Sequence, residues 1–212
     1  MLERASNQGS DDWLRARAGH ATASRFCDIL AVSKKDGKPL KARDDYLMEL
    51  VVEQITGEAI FSASSYAMQW GTDSEPYARA AYERTTGSLV REIGFVKHKT
   101  HAWVGASSDG LVGASGGIEI KCPFNSAVHL ATWESGMPEH HQAQVYGQMW
   151  ILDLEWIDFC SYDPRMLGDG QHLQLYRQRI ERDQKYIDEL EDKVLNFLAE
   201  VEAKVRLFMS KK

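Results

Sequence analysis

Cysteine is scarce in this sequence: 212 residues carry three, Cys27, Cys122 and Cys160. An odd number, widely spread, makes no disulfide framework and no zinc-type spacing. Apolar runs of membrane-spanning length are missing, and Met1-Leu2-Glu3-Arg4 does not open a signal peptide. A cytoplasmic protein with no membrane partner is therefore expected. No P-loop is found, which excludes an ATP-driven motor of that kind. Internal repeats, low-complexity tracts and long linkers are also absent, so residues 1–212 read as one domain. Basic charge is in short supply, with a net charge of −6, the wrong sign for a protein that coats nucleic acid. The distribution is uneven, however. Residues 1–43 hold nine Lys/Arg against five Asp/Glu, and the remaining 169 hold sixteen against twenty-six. A basic N-terminal segment on an acidic body suits DNA held at one defined place; it equally suits a solvated loop.

The most informative stretch runs from Ser107 to Phe124. Ile118-Glu119-Ile120-Lys121 alternates apolar and charged residues, a strand pattern that puts Glu119 and Lys121 on one face and Ile118 and Ile120 on the other. Upstream, Asp109-Gly110 closes the apolar run Trp103-Val104-Gly105-Ala106, and a short meander from Trp103 to Cys122 would bring Asp109 beside Glu119. Two carboxylates at one point repel each other, and a hard divalent cation with oxygen ligands compensates them. A neighbouring lysine can hold a water or neutralise charge developing on a phosphate. The competing reading is a plain hairpin with a solvated charged face. Against it stand the small polar Ser107 and Ser108, the glycines, and Pro123 just after the strand.

Periodicity predicts the other elements. A helix begins near Trp13 with Asp12 as its cap, and a second, capped by Thr22 or Ser24, runs through Leu30. Ser33 to Arg43 reads as a basic loop in which Lys34 and Lys35 are placed to touch phosphates. Helices are expected over Tyr46–Ile55, Tyr66–Thr86, Glu139–Leu152 and from Asp183 onward. The last carries an apolar stripe of Tyr186, Ile187, Leu190, Val194, Leu198, Val201 and Val205. Strands are expected at Gly94–Val96, Trp103–Val104, around Glu119, at Trp156–Tyr162 and at Leu173–Ile180. His98 and His101 read as surface residues rather than a metal pair. Residues 1–12 and Lys211-Lys212 read as loose ends. The fold class is α/β, with a central mixed sheet of about five strands flanked by helices.

Asp109, then Glu119-Ile120-Lys121, resembles the signature of the PD-(D/E)XK nuclease superfamily, whose core is restriction-endonuclease-like. Within it the chain is similar to the phage lambda exonuclease group, the YqaJ-like viral recombinases. Trp13, Arg17, Gly19 and Thr22-Ala23-Ser24 fit that group's N-terminal motif, and Trp70-Gly71 with Glu75 its helix motif. Lys121-Cys122-Pro123-Phe124, Ala143-Gln144-Val145, Met149-Trp150 and Tyr162-Asp163-Pro164-Arg165-Met166 extend the match, which covers nearly all of residues 11–190. The cysteine spacing argues against those superfamily members that hold an iron–sulfur cluster.

The resemblance implies a 5′-to-3′ exonuclease on linear double-stranded DNA. It would processively release 5′-mononucleotides and leave a 3′ single strand for a single-strand annealing protein, and it would act as a ring-shaped homotrimer. Two Mg²⁺ ions are implied, with Mn²⁺ able to substitute. Their ligands would be Asp109, Glu119, the Ile120 carbonyl and Glu75, with Lys121 and Gln144 completing the catalytic set. Arg17, Ser24 and Thr22 would hold the terminal 5′ phosphate, with Ser107 also on the DNA path. Met68 has two readings: a core methionine by residue type, and by resemblance an apolar wedge that helps split the duplex end. His141 falls where the lambda enzyme carries an aromatic residue and is weighed as a DNA contact. Gln148, one turn after Gln144, falls where the family varies. Two rivals share parts of this reading: another endonuclease or structure-specific nuclease of the superfamily, and a non-catalytic DNA-binding module on the same fold.

Overall fold

The computed structural model describes residues 10–60 and 65–211. Most of the N-terminal stretch read as loose, and Lys212, lie outside the described residues.

A mixed five-stranded sheet forms the centre. It is built from β2 (Val90–Arg91), β5 (Gly110–Val112), β6 (Gly116–Lys121), β7 (Trp156–Tyr162) and β8 (Leu175–Glu181), in that spatial order. β6 and β7 are parallel, with Glu119 opposite Phe159 and Lys121 opposite Ser161. The other pairs are antiparallel. The parallel pair requires a crossover, supplied by α5 (Ser126–Ser135), a short 3₁₀ turn and α6 (Gln142–Leu152). A second sheet was not anticipated. β1 (Ala21–Thr22), β4 (Val104–Ala106) and β3 (Val96–Lys97) form a separate three-stranded unit, with β1 parallel to β4. The strands expected at Gly94–Val96 and Trp103–Val104 therefore pair with each other but do not join the sheet of Glu119.

The alternation along β6 sorts its two faces into two cores. Ile118 and Ile120 pack with Val112, Cys160 and Tyr162 against Ala78, Ala81 and Tyr82 of α4 (Tyr66–Thr86). The opposite face of the sheet, with Ile157 and Phe159, packs against α6, α2 (Phe26–Ile29), α3 (Lys41–Thr56) and α7 (Gln184–Met209). Gly57 and Gly87, both with positive φ, end α3 and α4. The Asp183 side chain caps α7 by accepting from Tyr186 N. The stripe on α7 is as expected, except that the fully buried Phe197 belongs to it while Tyr186, Leu198 and Val205 only flank the core.

Four local expectations change. Ser10 rather than Asp12 caps α1 (Asp11–Arg17) through Trp13 N. The helix expected through Leu30 is a 3₁₀ turn, Ala23–Arg25, followed by the short α2, and Thr22 makes no side-chain cap. Lys41 and Arg43 are not loop residues: α3 already begins at Lys41, and Arg43 forks onto Glu200 of α7 at 2.6 and 3.1 Å. His98 and His101 stack on each other with a 4.7 Å centroid separation and lean on Trp150, and His101 Nε2 lies 2.9 Å from Glu191 Oε1. They are half-buried packing residues, not free surface. No helix among the described residues is long and apolar enough to cross a membrane.

Candidate active site

β6 and α6 bring four polar side chains together. Glu119 is 2 % exposed. Its Oε1 lies 2.6 Å from Lys121 Nζ and accepts from Gln144 Nε2 at 2.7 Å, while Gln144 Oε1 accepts from Lys121 Nζ at 3.1 Å. Its Oε2 accepts from Gln148 Nε2 at 2.6 Å. Asp109, at the end of the loop before β5, accepts from the backbone N–H of Ile120 at 2.6 Å through Oδ2. The meander read from the sequence therefore places Asp109 against the strand of Glu119 and Lys121.

Glu75 comes from the middle of α4. It now pairs with Arg79 at 2.6 Å, and Arg79 also holds Glu92 at 2.6 Å. The carboxylates still influence one another. Burial, then Glu119 and Glu75, push the Asp109 carboxyl well above the usual carboxylate range. Burial also raises Glu75, against the pull of Arg79. For Lys121, burial acts downward, but Glu119 and Asp109 outweigh it and hold the ammonium above its ordinary value. Burial, then Glu75 and Asp109, push the Cys122 thiol up to about 12, which makes it an inert neighbour. Burial, then Lys121 and His140, lower His141 to about 3. Its neutral ring sits 5.4 Å from Phe159, a packing position at the start of α6.

A second polar cluster stands on α1, β1 and the turn after it. The Arg17 guanidinium donates to Thr22 Oγ1 and Ser24 Oγ, each at 3.4 Å, and lies 4.1 Å over the Trp13 ring. Burial lowers its pKa, yet guanidinium remains charged in proteins. Gly19 makes the cluster possible. Its φ of +74° turns the chain between α1 and β1, its N–H donates to Glu53 and its carbonyl accepts from Gln54. Thr22 is buried, its backbone N–H donating to Tyr46 Oη at 3.0 Å; Ser24 is exposed. The two clusters touch through Ser107, whose Oγ accepts from Trp13 Nε1 at 3.0 Å and whose carbonyl accepts from Gln148 Nε2 at 3.1 Å.

A family model for the YqaJ-like viral recombinase domain matches residues 12–155. The chain belongs to that family. Among solved structures, this YqaJ-like chain superposes on an alkaline exonuclease from Laribacter hongkongensis, LHK-Exo, with a TM-score of 0.85 at 42 % identity, over 95 % of this chain and 97 % of that one. The complex of LHK-Exo with dAMP matches with the same values. A phage-related exonuclease from Haemophilus somnus 129PT, 16 % identical, shares the fold with a TM-score of 0.63 over 89 % of this chain and 96 % of that one. No curated protein matches the chain.

The remaining positions separate. Met68, in the first turn of α4, is 55 % exposed, so its core reading is overturned. Lys34 and Lys35 are exposed, whereas Lys38 and Lys41 pair with Asp36 and Asp45. Gln148 is the polar group that sequence reasoning undervalued. It is fully buried and bonded to Glu119, and its spacing from Gln144 was the available signal. The donor set suits a hard cation, being oxygen-only: two carboxylates, the Ile120 backbone and a third carboxylate nearby. Among the described residues, however, no three His, Cys, Asp or Glu side chains converge closely enough to hold an ion as they stand. Lys121, Gln144, Gln148 and Arg79 occupy carboxylate oxygens instead.

Proposed function

We propose that this protein is a Mg²⁺-dependent exonuclease that degrades linear double-stranded DNA from its 5′ end. It would release 5′-mononucleotides and leave a 3′ single strand. Family membership and fold support the coarser statement, a nuclease acting on DNA. The dAMP bound by the 42 %-identical LHK-Exo is of the class of product proposed. The observation that carries the finer reading is the pairing of two neighbouring sites. A buried acidic cluster with a lysine adjoins a guanidinium–hydroxyl cluster suited to a terminal phosphate.

Asp109, Glu119, the Ile120 carbonyl and Glu75 would hold two Mg²⁺ ions, or Mn²⁺ in their place. Bound, these supply Lewis-acid polarisation of the phosphate and a water more readily deprotonated. For this role Glu119 would release Lys121 and Gln144, and Glu75 would release Arg79. Lys121, freed from Glu119, donates to the phosphate oxygen on which charge develops. Gln144 orients the phosphate or the attacking water. Arg17, Thr22 and Ser24 bind the 5′ phosphate and set direction. Exposed Met68 acts as the wedge against the terminal base pair, while Lys34 and Lys35 lie on the path of the backbone. A homotrimeric ring and a single-strand annealing partner complete the proposal, resting on family likeness.

Single-turnover digestion of a 5′-phosphorylated duplex tests the assignment. D109N and E119Q should abolish cleavage while leaving the fold intact, and K121A should slow it about 100–1000-fold. Cleavage unaffected by D109N would reject the site.

A further inference from the structure

Gln148 is 0 % exposed, and its amide has one tenable orientation. Nε2 faces two acceptors, Glu119 Oε2 at 2.6 Å and the Ser107 carbonyl at 3.1 Å. Flipping the amide would set oxygen against oxygen at both. The orientation leaves Oε1 buried with no partner in the protein. An unmade buried hydrogen bond destabilises, and an apolar side chain of the same length would fill the space without it. It would also strand the Glu119 carboxylate and the Ser107 carbonyl, so what glutamine supplies here is the pair of bonds its NH₂ donates.

The two acceptors lie on different segments. Glu119 is on β6, and Ser107 is two residues before Asp109 on the loop entering β5. One NH₂ group thus spans the two segments that carry the two central carboxylates. Ser107 continues the chain of contacts: its hydroxyl accepts from Trp13 Nε1, and the Trp13 ring carries the Arg17 guanidinium. The path Glu119–Gln148–Ser107–Trp13–Arg17 joins the acidic cluster to the anion cluster through buried and half-buried residues.

We propose that Gln148 is a positioning residue: it clasps Glu119 to the Asp109 loop and, through Ser107 and Trp13, holds the carboxylates at a set spacing from Arg17. The inference rests on reading the first cluster as the cation site and the second as the 5′-phosphate site. Its consequence is that cation affinity and preference for a phosphorylated end are separately breakable at the two ends of the path.

Three full-length variants test it. Q148M keeps the length but removes the donor. Q148A opens a space in which water can donate to the same two oxygens. W13F keeps the ring under Arg17 but removes the indole N–H. Mn²⁺ affinity is measured by calorimetry without DNA, on protein shown to be folded by circular dichroism. The donor role predicts that Q148M weakens Mn²⁺ binding about 10–100-fold, as loss of a group supporting a ligand does, with Q148A intermediate. A packing role predicts the reverse order, since methionine fills the site and alanine does not. W13F should keep the Mn²⁺ affinity of the wild type. It should lose part of the kcat/KM advantage of 5′-phosphorylated over unphosphorylated ends. Wild-type Mn²⁺ affinity in Q148M, or Q148A binding more weakly than Q148M, would overturn the inference alone. A wild type that neither binds Mn²⁺ nor degrades DNA would overturn the functional reading and this inference with it.

Discussion

Two buried carboxylates, Glu119 and Asp158, differ in what their surroundings permit. Glu119 is held by two groups that can leave, Lys121 and Gln144, beside the Gln148 clasp. Asp158, on the far face of the sheet, is held by a buried tyrosine and two arginines. It accepts from Tyr82 Oη at 2.7 Å and from Arg179 at 2.9 and 3.0 Å, with Arg177 at 3.3 Å. Burial alone would raise its pKa, but the hydrogen bonds from Arg179 and Tyr82 and the two guanidinium charges reverse this and lower it. A depressed carboxyl contributes stability above its unfolded pKa, and the contribution is lost as pH falls through the folded value. D158N should cost about 2 kcal/mol near neutral pH, a hydrogen-bonded charge discounted because both arginines can rehydrate. Urea melts should show that gap steady near neutrality and closing below about pH 4, where the free carboxyl titrates. A gap that widens in acid would contradict the assignment. The same contrast explains what was readable beforehand. Asp109, Glu119 and Lys121 announce themselves through alternation and turn chemistry within a dozen residues. Gln148 does not, because a helical glutamine gains meaning only from a carboxylate 29 residues away.

α6 is the element that links the sites. One side carries Gln144 and Gln148; another lies so close to the turn after β1 that only a hydrogen fits at Gly147. A Cβ there would meet Phe26 Cδ2 at 2.5 Å and the Ala23 Cβ at 3.3 Å. G147A would gain about 1 kcal/mol of helix propensity, but overpacking a fully buried phenylalanine costs about 1–3 kcal/mol, so the clash prevails. A fall in Tm of about 2–6 °C is expected, together with weaker discrimination for 5′-phosphorylated ends, because the displaced turn carries Ser24. A raised Tm would show that the helix term prevails. The long striped helices α4 and α7 were legible to within a residue or two, whereas α3 begins five residues before the expected Tyr46. α5 was not delineated because its pattern is inverted. His129 and Thr132 face inward, and Val128 and Leu130 are exposed. His129 is satisfied there by Ser161 Oγ at 2.8 Å and by donating from Nε2 to the Leu173 carbonyl at 2.7 Å. β1 and β2 are two residues each, too short for any period to register.

Across the whole molecule, the basic N-terminal segment is less free than its composition implies. Arg25 is taken by Asp28 and Glu49, Arg43 by Glu200, and Lys38 and Lys41 by nearby aspartates. An acidic body with these internal pairs does not attract duplex DNA over its whole surface, so recognition has to be local. The Arg17 cluster beside the acidic site, proposed above to bind the 5′ end, is such a locus. It makes the behaviour at a DNA end, rather than general affinity, the property to measure. The decisive experiment is digestion of a linear duplex, labelled at the 5′ end of one strand, in Mg²⁺, with and without the 5′ phosphate. A closed circular duplex and R17A run alongside. The wild type should release labelled mononucleotides, spare the opposite strand and the circle, and slow when the phosphate is missing. R17A should slow about 10–100-fold on phosphorylated ends, the worth of a charged hydrogen bond, and lose the phosphate preference. Cutting of the circle, or release beginning from the 3′ end, would contradict the proposed exonuclease.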